Sequence, residues 1–289
     1  LDSFDSDGFT TTSYSNVNSS GNTFVAWSWK AGGAPTTDNL VAAGGTPTAG
    51  SVKIDGANLG SALAGSIAAT RLSANTETGF SIIKFTGTGA NATIAHGLSK
   101  APELWINKNL IDIDNWMVGT TVGTLDAGDY LKLNTSMAAA VSSGVWNDAP
   151  PTSSVINLGA DGGANGSTDA TICYAFHSVE GYSKVGSYEG NGDADGTFIY
   201  TGFKPAYILI KSYSNASTNW LIHDDARDPY NPAGNNFNAN EPDAENEKII
   251  DMVSNGFKAR EDDNHFNGDG YDYIYYAVAE SPFKTSNAR

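Results

Sequence analysis

Ile172-Cys173-Tyr174-Ala175-Phe176 and Ile274-Tyr275-Tyr276-Ala277-Val278 are two versions of one strand. Large residues stand at every second position: Ile172, Tyr174 and Phe176 in the first, Ile274, Tyr276 and Val278 in the second. Between them lie Thr171, Cys173 and Ala175, or Tyr273, Tyr275 and Ala277. Successive side chains of a strand point to opposite faces, so each stretch gathers its large residues on one side of a sheet. Covering that side takes a second layer, and a two-sheet antiparallel sandwich is the simplest way to supply it. A third version, Val25-Ala26-Trp27-Ser28-Trp29, stands near the front of the chain.

Other stretches recur with the same spacing. Gly79-Phe80-Ser81 returns as Gly181-Tyr182-Ser183, a step of 102. Phe85-Thr86-Gly87-Thr88-Gly89 returns as Tyr188-Glu189-Gly190-Asn191-Gly192, a step of 103. Asp114-Asn115-Trp116-Met117-Val118 returns as Thr218-Asn219-Trp220-Leu221-Ile222, a step of 104, and Lys100-Ala101-Pro102 returns as Lys204-Pro205-Ala206 with a one-residue slip. A nearly constant step marks one folding unit used twice, with short insertions in its loops. Asp7-Gly8-Phe9 echoes Asn255-Gly256-Phe257, so residues 1–33 read as the closing half of a unit whose opening half is missing.

The expected organisation is therefore all-β. Residues 1–33 form an incomplete module, 79–180 and 181–289 form two β-sandwich modules, and 34–78 form a Gly/Ala/Thr-rich linker or insertion. Within that insertion only Ser51-Val52-Lys53-Ile54 reads as a strand. Asp224 to Glu247, rich in Asn, Asp and Pro, reads as a long surface loop, with a helical turn or two expected over Glu245 to Met252.

Composition narrows the function classes. The 289 residues carry 16 Lys+Arg against 32 Asp+Glu, a formal charge of −16, which repels nucleic acid and anionic lipid. Charged residues are only 17% and Gly numbers 32, a balance that suits turn-rich sheets better than helices. One cysteine, Cys173, excludes an intrachain disulfide framework. No run of about 20 apolar residues is present for a membrane-spanning helix, and no signal peptide opens the chain. Leu1 in place of an initiator Met suggests a fragment or a processed form.

Duplication also supplies an internal test, because residues that carry the fold should recur while a site can occur in one copy alone. Gly97/Gly202, Pro102/Pro205, Lys108/Lys211, Asn115/Asn219 and Trp116/Trp220 recur and are assigned to scaffold. Cys173 lies in a strand with no base beside it and reads as a small buried side chain. His96, His177, His223 and His265 are scattered without metal-ligand spacing and read as surface or loop residues. Three acidic clusters stand out: Asn191/Asp193/Asp195, Asp224/Asp225/Asp228 and Asp262/Asp263/Asp269/Asp272. A structural Ca²⁺ is one reading of them, a solvated acidic loop the other, and no closing Glu completes a calcium loop. No nucleophile elbow, phosphate loop or marked carboxylate pair is present, so no catalytic residue, cofactor or ligand-binding residue is assigned. Sequons at Asn18, Asn91, Asn134, Asn165 and Asn215 carry little weight in so Asn-rich a chain. Tyr14, Trp105, Trp146 and Tyr230 are the aromatic candidates for stacking on sugars, against strand or core packing.

Phe24-Val25-Ala26-Trp27-Ser28-Trp29-Lys30-Ala31-Gly32-Gly33, Gly79-Phe80-Ser81-Ile82 with Gly97-Leu98, and Gly181-Tyr182-Ser183-Lys184 together resemble repeat modules of marine bacteriophage tail-fibre and other virion structural proteins. So do Tyr200-Thr201-Gly202-Phe203-Lys204-Pro205-Ala206 and the ending Pro282-Phe283-Lys284-Thr285-Ser286-Asn287-Ala288-Arg289. The resemblance covers 1–33 and 79–289. It implies lectin-like jelly-roll modules and a non-enzymatic virion surface component that binds host glycan. Its partners would be other virion chains, with a homo-oligomer such as a trimer expected. A polysaccharide-depolymerising tail enzyme and a purely structural decoration protein are the alternatives.

Overall fold

The computed structural model describes residues 1–5 and 8–283. Asp7 of the front echo and Lys284 to Arg289 of the ending motif lie outside the described residues. A short hairpin, β1 (Ser3–Phe4) and β2 (Phe9–Thr10), and one helical turn, α1 (Ser15–Asn18), come first. Then follow β3 (Val52–Ile54), β4 (Ala57–Asn58) and β5 (Ala69–Asn75).

Unit one contains β6 (Phe80–Thr86), β7 (Ala92–Ala95), β8 (Leu104–Asn109), β9 (Met117–Thr120), β10 (Asp129–Lys132), β11 (Ala140–Val141), β12 (Val155–Leu158) and β13 (Ala170–Phe176). The turns α2 (Ser143–Trp146) and α3 (Gly162–Asn165) precede β12 and β13. Unit two contains β14 (Ser183–Glu189), β15 (Phe198–Tyr200), β16 (Pro205–Ser212), β17 (Leu221–Asp224), β18 (Ala233–Asn238), β19 (Asn246–Val253), β20 (Gly256–Ala259) and β21 (Asp272–Ala279).

The duplication read from sequence is a duplication of topology and register. Unit one runs β10-β9-β8-β13-β6 across its main sheet; unit two runs β18-β17-β16-β21-β14. Ile106 lies opposite Val118 on one side and Tyr174 on the other, as Leu209 lies opposite Ile222 and Tyr276. The second layers also match, since Ile94 pairs with Ile156 in the β7–β12 ladder and Ile199 with Phe257 in the β15–β20 ladder. In unit two β18 passes from one layer to the other, pairing β17 through Phe237 and Asn238 and β19 through Ala233 to Asn236.

The alternating faces divide the packing differently from the sandwich expectation. The small-residue faces line each unit's own interior. Cys173 and Ala175 pack with Trp105, Trp146 and Ile156, while Tyr275 and Ala277 pack with Ile208, Phe257 and Ile250. The large-residue faces meet each other. Phe80, Leu104, Val118, Leu131 and Phe176 of unit one form a single cluster with Val185, Leu209, Ile222, Ile274 and Tyr276 of unit two. Phe176 and Tyr276 sit 4.9 Å apart across the seam. Each unit is thus a sandwich, and the two sandwiches share a third apolar layer between them.

Three local expectations are corrected. Of the two readings of residues 34–78, insertion fits and linker does not, and the strand expected at Ser51–Ile54 is β3. There β5 pairs with β6 from Asn75–Phe80 to Ala69–Phe85, β3 pairs in parallel with β5, and Val52, Ile67, Ala69, Leu72 and Ala74 are buried in the unit-one core. Small side chains hid this because they pack closely without producing an obvious apolar run. Glu245 to Met252 falls largely in β19 rather than a helix. Ile250 and Met252 enter the core at period two opposite Ala259 and Phe257, and this pairing overrides the helix preference of Glu and Lys. Val25 to Trp29 makes no ladder. Trp27 and Trp29 instead lie edge-on against Tyr207, at 5.8 and 5.2 Å, and Trp27 donates to Asp224 at 3.3 Å.

The seam holds one buried cation. Lys211, fully buried, donates from Nζ to the Thr218 carbonyl at 2.8 Å, to Thr218 Oγ1 at 2.7 Å and across the seam to the Ser136 carbonyl at 3.3 Å. Burial without a counter-charge lowers its pKa to about 7. His96 and His223, also fully buried, are pushed down to about 4 and about 3 by desolvation. Between pH 7 and 9 the unfolded chain keeps the Lys211 proton that the folded chain releases, so folding strengthens as pH rises; below pH 6.5 the two imidazoles must stay neutral, so folding weakens as pH falls. Urea titrations should therefore show about 2 kcal/mol gained from pH 7 to 9. Lys211→Met should flatten that limb while leaving the acid limb in place.

A second prediction concerns Gly119, whose missing Cβ would lie 2.2 Å from the Trp105 ring. Gly119→Ala should lower the melting temperature, at a cost of about 2 kcal/mol from overpacking. The equivalent position in unit two, His223, faces the smaller Ile208.

Candidate functional site

Recurrent polar residues turn out to be clamps. Asn134 accepts from the Trp116 N–H at 3.0 Å and donates to Asn115 at 3.1 Å; Asn240 accepts from the Trp220 N–H at 2.8 Å and donates to Asn219 at 2.9 Å. A further pair escaped the sequence reading. Asn165 and Asn267, both fully buried, hold the Gly-rich loops of their own units. Asn165 accepts from Thr88 N–H at 2.9 Å and donates to the Ala90 and Gly159 carbonyls at 2.7 and 2.8 Å. Asn267 accepts from Asn191 N–H at 3.2 Å and donates to the Asp193 and Glu261 carbonyls, both at 2.8 Å. A shared step of 102 with a Gly-x-Gly partner was the available signal, and burial excludes Asn165 as a glycosylation acceptor in the folded chain.

The other residues singled out from sequence divide plainly. Trp105 and Trp146 are buried and stack edge-on at 5.4 Å inside unit one, so they face no sugar. Tyr14 and Tyr230 are exposed. Of the four histidines, His265 is a partly exposed loop residue as expected, but the other three are not on the surface. His96, His177 and His223 are buried, and His96 Nδ1 accepts from Leu98 N–H as Thr201 Oγ1 accepts from Phe203 N–H at the same turn of unit two. Both ring nitrogens of His223 lack a protein partner. The Cys173 thiol is buried and pushed far up by desolvation.

Each acidic cluster is engaged by neighbouring protein groups. Asn191 and Asp193 accept successive backbone N–H groups in the Gly-rich loop, and Lys258 reaches Asp195 at 2.5 Å. Asp263 pairs with Lys248 and His265, and these hydrogen bonds hold its carboxyl well below the usual carboxylate range against the opposing effect of burial. Among the described residues no group of three or more His, Cys, Asp or Glu is placed to hold a metal ion.

Asp224 and Asp228 build a cleft in unit two whose charged residues have no counterpart at 120–124 of unit one. The Asp224 carboxylate accepts from Arg227 N–H at 3.0 Å and from its Nε at 2.6 Å. The guanidinium also donates to Glu245 at 2.8 Å and lies 4.4 Å over the Phe237 ring. Asp228 accepts from the Asn235 backbone at 2.6 Å and its side chain at 2.7 Å. Asn231 exchanges two 2.8 Å hydrogen bonds with Met252, pinning the loop to β19. Around this frame lie two hollows of about 540 Å³ each, which share Asn235 and Glu245. Thr23, Phe24 and Val25 of the front segment wall one; Asp228, Asn246 and Glu247 line the other. Half-exposed Phe24 offers a ring face, and the amides, carboxylates and guanidinium offer in-plane donors and acceptors. Two further exposed rings, Phe198 and Tyr200 on the edge strand β15, were also missed from sequence; strand alternation around the buried Ile199 was the signal.

This is an all-β protein of two repeated sandwiches carrying a polar, ring-walled cleft on the second. The chain belongs to the family described as Domain of unknown function (DUF7483), whose model matches residues 1–282. No curated protein and no solved structure matches it.

Arg227 is the cleft's keystone, and Asp224 beneath it is buried. Arg227→Ala should cost about 3 kcal/mol by stranding that carboxylate, measurable as a lower urea midpoint. Arg227→Ala combined with Asp224→Asn should recover part of the loss.

Proposed function

We propose that the chain is a non-catalytic adhesion element that binds a surface glycan through the Arg227–Asn235–Glu245 cleft. The observation that carries this reading is that the cleft's charged residues do not recur in the other copy of a repeated scaffold. Rigid planar polar groups beside ring faces suit a polyhydroxylated ligand, whose hydroxyls both donate and accept. The resemblance to phage repeat modules supports placing it on a virion, as part of a fibre or tail appendage among other structural chains or copies of itself. Weak single sites would then act together, because neighbouring copies raise the effective concentration at the host surface.

A second reading has one specific support: Asp228, Glu245 and Glu247 line the same groove, as the carboxylates of a polysaccharide-cleaving enzyme would. Glycan-array binding followed by titration separates the possibilities. Adhesion predicts saturable binding without shortening of the polymer, with Asn235→Ala and Phe24→Ala each weakening affinity about tenfold. Polymer shortening that is lost in Glu247→Gln would establish the enzyme instead. Absence of binding to any host glycan would leave a structural role.

A further inference from the structure

The front segment repeats several contacts of a unit's closing half. Phe4 lies opposite Phe9 in the β1–β2 hairpin as Met252 lies opposite Phe257 in β19–β20. The helical turn after it ends on Asn18, whose N–H donates to the carbonyl four residues back, Tyr14; Asn165 and Asn267 donate in the same way to Asp161 and Asp263. Asn18 Nδ2 also donates to the carbonyl six residues back, Thr12, at 3.1 Å. Asn165 and Asn267 make that same bond to Gly159 and Glu261. Finally Trp27 and Trp29 present their large faces to unit two, as Tyr276 presents its own to Phe176.

What differs is everything the opening half supplies. Phe257 has Ile199 opposite it and Ile156 has Ile94, but β2 pairs only with β1. Asn165 and Asn267 also grip a Gly-x-Gly loop, whereas Asn18 is exposed and holds nothing beyond its own turn. Leu1, Phe4, Phe9, Val17 and Phe24 are all exposed, and with Ala26 and Ser28 they line an apolar hollow of about 500 Å³. In unit two the corresponding side of the sheet is sealed by Ile199, Ile208 and Ile210 from β15 and β16.

We propose that this hollow is the receptor for the opening half of another unit of the same repeat. The occupant is a β segment of the kind found at 181–224, a Gly-x-Gly loop followed by an apolar strand. Its loop would close on Asn18, its strands would flank residues 24–30, and its aliphatic side chains would fill the space before Phe4 and Phe9. The seam formed by Trp27 and Trp29 against unit two would then continue into a third complete sandwich. Phe24 and Val25 border both this hollow and the glycan cleft, but the assignment rests on Phe4, Phe9 and Asn18, none of which lines the cleft.

The test joins a copy of residues 181–224 ahead of Leu1 through a flexible linker and follows amide exchange by mass spectrometry. Exchange over 8–30 should slow by about tenfold or more relative to the unfused chain. The gain should vanish when Phe4→Ser, Phe9→Ser and Asn18→Ala are introduced, which separates filling of the hollow from exchange of strands with unit two. It should also vanish when Ile208→Asp and Ile210→Asp are placed in the added copy alone. Equal protection with and without those changes would overturn the proposal. So would a hollow already protected in the unfused chain, or one closed by a second copy, seen as a dimer in light scattering that Phe4→Ser with Phe9→Ser abolishes.

Discussion

The large-residue faces of two sheets cover each other, and the rest of the structure follows from that contact. A sheet can hide one face against its own second layer, but Phe80, Leu104, Val118 and Phe176 point away from unit one's interior. Water would meet those side chains on an isolated unit. Val185, Leu209, Ile222 and Tyr276 meet them instead, and the hydrophobic gain is available only to a pair. Polar groups are then placed to suit the seam. Trp220 donates from its indole to the Lys132 carbonyl at 3.0 Å, and Ala139 N–H donates to the Tyr213 carbonyl at 2.9 Å. Lys211 is carried inside on three oxygens.

How much of this was legible depends on where the information lies. Steps of 102 to 104 in Gly79/Gly181 and Trp116/Trp220 state the duplication outright, and alternation in Ile172 to Phe176 states which residues share a face. Alternation does not say what covers that face. Either layer is open to a strand with two apolar sides, so the inner and outer assignments required coordinates. Beyond the strand at Val52–Ile54, the insertion at 34–78 was illegible for a related reason: Ala69, Leu72 and Ala74 fill space beside β6 without a pattern stronger than that of a linker. His96 and His223 resemble surface residues in sequence because burial of a neutral imidazole leaves no trace in spacing.

The cleft was half legible. Asp224 and Asp228 stood out as acidic residues without charged counterparts in the first copy, which is where the repeat argument directs attention. Their roles did not, because each carboxylate is spent on holding a neighbour: Asp224 fixes Arg227 and Asp228 fixes Asn235. The groups left facing the hollows are the ones held, together with Glu245, Glu247 and a ring from the distant Phe24. Only the fold brings residue 24 beside residue 227.

The seam also bears on ancestry. A gene encoding one unit alone would have yielded a protein with a bare aromatic flank, prone to self-association. After duplication the two interiors were free to drift apart, one acquiring Trp105 over Gly119 and the other Ile208 beside His223. The facing surfaces had to change in step, and traces of correlated substitution between related sequences should concentrate there.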